Sequence, residues 1–193
     1  MAGTGPTIVL LLGVAVIGSN ALVLSPILPD VARDLGATPA AVARAIAAYG
    51  GATGLAALLL GGLIDRHGPR AVLVAGSVLL AAGTFGSALA RTWVALALAQ
   101  GLAGLAAGVM LPAIYAMATT AGARVLGRVL AGWSVSLVAG VPLSALLAER
   151  LGWEASFVAL GLLVLLALAG FARMPPRGPA PRDAAAPAGT MVS

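Results

Sequence analysis

Long apolar runs alternate with short polar breaks along this chain. Six runs stand out, at 7–28, 40–63, 71–90, 93–119, 126–147 and 153–172. A helix of about 20 apolar residues covers the roughly 30 Å hydrocarbon core of a bilayer. The pattern therefore predicts six transmembrane helices in one all-α domain over 1–172. The breaks between them carry most of the charge. The first holds Asp30, Arg33 and Asp34, and Thr38 with Pro39 reads as an N-cap followed by a first helical residue. The second is the polar island Gly61-Gly62-Leu63-Ile64-Asp65-Arg66-His67-Gly68-Pro69-Arg70. Arg91 and Thr92 make a minimal turn, 122–128 a short basic link, and Glu149 to Glu154 the last loop. The first run lacks a basic lead and exceeds a signal-peptide core in length, so it reads as a retained span. The Pro-, Ala- and Arg-rich stretch at 173–193 cannot bury apolar surface and is expected to be a disordered cytoplasmic tail.

Composition sharpens this picture. The chain is 61% hydrophobic and 9% charged. A water-soluble domain needs more charge to cover its surface, so the first expected partner is the lipid bilayer. The formal net charge is +5, and every basic residue is Arg. These Arg are scattered between apolar runs, which argues for membrane topology and against nucleic acid. With six spans, the even loops and both termini share one side. That side carries Arg66, Arg70, Arg124, Arg128, Arg173, Arg177 and Arg182; the other carries Arg33, Arg44, Arg91 and Arg150. The excess puts both termini in the cytoplasm. Richness in Ala, Gly, Arg and Pro suits a GC-rich bacterial genome, and so a bacterial cytoplasmic membrane. Cysteine is absent, and a single His with six carboxylates leaves little material for a metal. No nucleophile–base pair or phosphate-binding glycine loop stands out. Neither an enzyme nor a cofactor is expected.

Inside the spans, Gly50 with Gly54 and Gly104 with Gly108 make two small-xxx-small faces, where helix backbones can approach closely. Such faces serve either a moving interface or ordinary tight packing. Pro112 and Pro142 fall within spans four and five and remove a backbone hydrogen bond each. No Asp, Glu or His lies deep within any span, so a proton relay lacks its usual intramembrane group.

The polar island resembles the loop between helices 2 and 3 of the major facilitator superfamily. The matching positions are Gly61, Leu63, Asp65, Arg66, Gly68 and Arg70; Pro69 stands where a basic residue is usual. Four further stretches support the resemblance in order. Pro26 to Gly36 is similar to the end of helix 1 and first external loop of bacterial drug- and sugar-efflux permeases. Gly101 to Gly108 is similar to helix 4, with Gln100 where the family carries Arg. Gly140 and Pro142 resemble the antiporter-type motif of helix 5, with Ser144 in place of a common Gly. Gly152 to Phe157 resembles the start of helix 6, with Glu154 where Arg is frequent.

The resemblance implies a transporter. Independently of it, a tight turn needs a residue that tolerates positive φ, which Gly68 supplies, and Asp65 can pair with Arg66 or Arg70. In the family, the equivalent Asp latches onto a helix of the other half and favours one gating state. The family's central cavity is lined by helices 1 and 4, which here offer Ser19, Asn20 and Ser25, then Gln100 and Tyr115. Tyr49 and Ser136 are candidates to join them. These neutral groups suit an uncharged or amphipathic solute, and each also suits a plain helix–helix hydrogen bond. Asn20 and Gln100 lead, because amides are costly to expose to lipid. Family members carry two six-helix halves that point the same way. The expected partner is thus a second copy in a parallel homodimer, or a separate C-terminal half. The competing expectation is a truncated or non-transporting membrane subunit.

Overall fold

The computed structural model describes residues 4–175. The expected tail lies, from residue 176 on, outside the described residues. Among the described residues the chain is helical throughout. Helices α1 (Thr4–Leu22) and α2 (Leu24–Asp34) follow one another across Val23. Pro26 has no N–H to bond the carbonyl four residues back, at Leu22, so the ladder opens there. Val23 keeps helical dihedrals, φ −55° and ψ −39°, so the path continues.

Helix α3 (Pro39–Leu59) begins where the Thr38 hydroxyl accepts from the Ala41 N–H at 3.2 Å. A short α4 (Gly62–His67) crosses the polar island. Gly68 then turns the chain at φ 78°, ψ 154°, and Pro69 opens α5 (Pro69–Ala88). Thr92 caps α6 (Trp93–Ala121) in the way Thr38 caps α3, accepting from the Ala95 N–H at 3.1 Å. Helix α7 (Ala123–Val135) leads through a wider π-turn (Ser136–Gly140) into α8 (Val141–Leu151). Pro142 sits in the first turn of α8, and the π-turn bonds Val141 N–H to the Ser136 carbonyl. The chain then turns at Gly152 into α9 (Trp153–Ala172).

Six of these helical stretches are long and apolar enough to cross a membrane: Thr4–Leu22, Pro39–Leu59, Pro69–Ala88, Trp93–Ala121, Ala123–Leu151 and Trp153–Ala172. The protein is a multi-pass, all-α membrane protein. In the bundle α3 packs on α6, α6 on α5, and α5 on α9, while α1 lies against α7, α9 and α6. Glycines set the closest approaches. A Cβ on Gly83 would stand 2.6 Å from the Ala103 nitrogen, so α5 and α6 touch through backbone. Gly104 and Gly108 do the same for α6 and α3, against the backbone of Tyr49 and Thr53. Thr53 reinforces that seam, its hydroxyl lying 3.1 Å from the Gly104 carbonyl.

Burial is uneven. In α3 and in the α7–α8 span only 22% of the most apolar stretch is buried, against 39–56% in the other four spans. Gly50, Gly51 and Gly54 on α3 face open space: a methyl group on any of them would touch nothing within 4 Å. Further along α3 the exposed positions turn bulky, at Leu55, Leu58 and Leu59, as they are on α9 at Leu162, Leu165 and Leu166.

Candidate functional site

The polar island forms a compact corner at one end of the bundle. Asp65, Arg66 and His67 are exposed on α4. The expected pairing of Asp65 with Arg66 or Arg70 is not what forms. Arg70 reaches across to the C-terminus of α9 and donates from Nη2 to the Ala172 carbonyl at 2.6 Å. A helix C-terminus carries unpaired carbonyls and partial negative charge, so a guanidinium there satisfies both. Arg70 thus ties the start of α5 to the end of α9. Among the described residues the one ion pair is Arg33 with Asp30, at 3.0 Å on the opposite end of the bundle. The Asp65 carboxylate is exposed and takes no part in that pairing.

The polar side chains inside the spans are almost all engaged within the bundle. Asn20, 1% exposed, donates from Nδ2 to the Val16 carbonyl at 3.3 Å. Its Oδ1 lies 3.0 Å from the Thr84 hydroxyl, whose proton is shared with the Leu80 carbonyl at 2.7 Å. Gln100, also 1% exposed, donates to the Ser87 hydroxyl at 3.1 Å, and Ser87 donates to the Gly83 carbonyl at 2.9 Å. The Tyr49 hydroxyl donates to the Ile17 carbonyl of α1 at 3.0 Å. Ser136 bonds the Ala15 and Gly132 carbonyls at 3.1 and 2.9 Å. Ser19 lies against Gly140, where a Cβ would collide with its hydroxyl, and lines a small cavity of about 50 Å³ with Ser144 and Ser156. These five candidates, with Thr84 and Ser87, therefore knit α1 to α3, α5, α7 and the π-turn, and α6 to α5. Gly140 and Pro142 serve the same seam, the glycine by close approach and the proline by opening α8.

Tyr115 is the exception among the sequence candidates. It is half-buried, and its hydroxyl oxygen accepts from Trp133 Nε1 at 2.9 Å. Trp133 is half-buried too and lies against α1, where a Cβ on Gly18 would stand 3.0 Å from its Cε3. Sequence reasoning passed over Trp133; its one signal was a lone indole within an apolar span. It also passed over Thr84 and Ser87, although Ser77, Thr84 and Ser87 recur at helical spacing and all are buried. At the α2 end, Trp153 Nε1 donates to Asp34 Oδ2 at 3.0 Å, and the Arg44 guanidinium stands 5.4 Å from the Trp93 ring centre.

Comparison with known proteins bears on this arrangement. The sequence profile of the Major Facilitator Superfamily matches residues 10–191. An uncharacterized MFS-type transporter, YwfA of Bacillus subtilis (strain 168), is 35% identical over 153 residues, covering 77% of this chain and 37% of that protein. A chloramphenicol resistance protein of Streptomyces lividans is 32% identical over 178 residues, 90% of this chain and 45% of that protein. The proton:xylose symporter XylE, solved with 6-bromo-6-deoxy-D-glucose, superposes with a TM-score of 0.72 at 17% identity, over 89% of this chain and 44% of its own. That likeness is one of fold. The chain spans less than half the length of the relatives it matches.

Proposed function

Because the chain belongs to the major facilitator superfamily, we propose that it forms one six-helix half of a bacterial inner-membrane exporter. The half moves small neutral or amphipathic solutes by alternating access. A second half completes it, supplied by a second copy of this chain or by a separate C-terminal half. Both termini face the cytoplasm, where the Arg excess lies.

One observation carries the reading. The α3 span, and with it α7–α8, is left open, and the middle of the open side of α3 carries Gly50, Gly51 and Gly54, followed by the exposed Leu55, Leu58 and Leu59. Lipid chains gain nothing from glycine, whereas a helix backbone does, by close packing. The second support is Asp65, exposed and unpaired at the corner beside Arg70. A carboxylate in that position suits a latch to a helix of the facing half. Similarity to a chloramphenicol resistance protein makes export the favoured direction and chloramphenicol the first solute to try.

The test is uptake of chloramphenicol into inverted vesicles carrying the chain, beside vesicles with Asp65→Asn. Accumulation that falls at least severalfold in Asp65→Asn, with an unchanged melting temperature, is the expected result. The reading fails if the chain is a monomer in native membranes and neither version moves solute.

A further inference from the structure

We propose that Trp133 and Tyr115 form the solute platform of this half, and that the preferred solute is a flat, uncharged aromatic carrying a hydrogen-bond acceptor. This rests on the transporter reading above and names the chemistry of its site.

A polyol is read by several convergent donors and acceptors, usually amides and carboxylates. Asn20 and Gln100 are each 1% exposed and already bonded inside the bundle. Tyr49 and Ser136 are buried and bonded to backbone carbonyls of α1. All four are buried, so none of them reaches an incoming solute. The aromatic pair on α6 and α7 does.

Trp133 is half-buried, and its N–H is satisfied by the Tyr115 oxygen. The indole therefore offers a π-face and no unmet donor. Tyr115 accepts that bond through its oxygen, which leaves its own O–H proton free to donate. Together they present a flat apolar surface beside a single hydrogen-bond donor. An aromatic ring stacks on such a surface in an offset or edge-on arrangement, and an acceptor on the ring meets the tyrosine proton. No carboxylate lies deep in the spans to favour a cation. The pair is also firmly mounted. Gly18 lets the indole lie against α1, so three spans meet at one platform. Trp133 stands in the α7–α8 span, one of the two that the bundle leaves most open.

The test is tryptophan fluorescence of the chain in nanodiscs, titrated with 4-nitroacetophenone, a neutral planar quencher with acceptor groups. The titration is run on the unmodified chain, Trp133→Phe and Tyr115→Phe, with D-glucose as competitor. Saturable quenching is expected in the unmodified chain, lost in Trp133→Phe and shifted about tenfold to weaker binding in Tyr115→Phe, with no competition by glucose. Tyr115→Phe keeps the ring and so keeps the test valid if Trp133→Phe does not fold. Quenching that stays linear and equal in all three chains reports partition into lipid and overturns the proposal. So does competition by glucose. Vesicle transport that depends on Asp65 while quenching remains linear removes this inference and leaves the transporter reading standing. Saturable quenching in a chain that stays monomeric and moves nothing does the reverse.

Discussion

Gly104 and Gly108 on α6 share a four-residue spacing with Gly50 and Gly54 on α3, and the two pairs face opposite surroundings. The α6 pair lies against the α3 backbone with no room for a methyl group. The α3 pair faces open space. The same small-xxx-small pattern is thus a finished seam in one helix and an unfilled one in the next. The exposed side of α9 gives the contrast a third term. There the outward residues are leucines, which suit acyl chains. Exposure alone does not distinguish a lipid face from a partner face. The size of the exposed side chain does: it sets the glycine stretch at 50–54 apart from the leucines of α9 and from Leu55, Leu58 and Leu59 at the end of α3 itself, because glycine adds nothing in lipid and permits a close crossing in protein.

Substitutions can break this comparison at either end. Gly104→Leu is expected to have the largest effect. Its side chain meets the backbone at Tyr49, which cannot move aside as a rotamer can, so the loss should reach at least about 3 kcal/mol, the upper end for overpacking. Denaturant titration in mild detergent reads it. Gly50→Leu should leave that titration unchanged and weaken association of the halves about tenfold, equivalent to about 1.4 kcal/mol. The fraction of complex in native-membrane cross-linking measures this. Thr84→Val removes the donor to Asn20 and should lower stability by about 0.6–2 kcal/mol without touching association, as intramembrane hydrogen bonds do. Leu166→Ala on the lipid face should change stability by no more than about 0.5 kcal/mol and association not at all.

The membrane class and the all-α fold were legible in the sequence because lipid forces the pattern. Runs of apolar residues without charge have one physical solution, a helix with its own backbone satisfied. Which helix touches which was not legible. A span apolar on all sides carries no periodic face, so nothing in the sequence tells Gly104 from Gly50. The polar candidates show the same gap. That Asn20 and Gln100 avoid lipid follows from the cost of an exposed amide. Whether they then face a cavity or a neighbour depends on Thr84 and Ser87, one helix away. Arg70 is a similar case: the turn at Gly68 needed a glycine, but the capping of α9 arises from a residue pair about a hundred positions apart. The opening at Val23 had a readable cause in Pro26, and the π-turn at 136–140 ends two residues before Pro142.

The central claim is that the glycine face of α3 packs against a second half. The chain has no cysteine, so single cysteines report cleanly. Oxidative cross-linking in native membranes, comparing Gly54→Cys with Leu166→Cys, tests the claim most directly. A cross-linked product at residue 54 and none at residue 166 is the predicted result. Equal cross-linking at both positions, or none at 54 in a chain that still folds and transports, contradicts it.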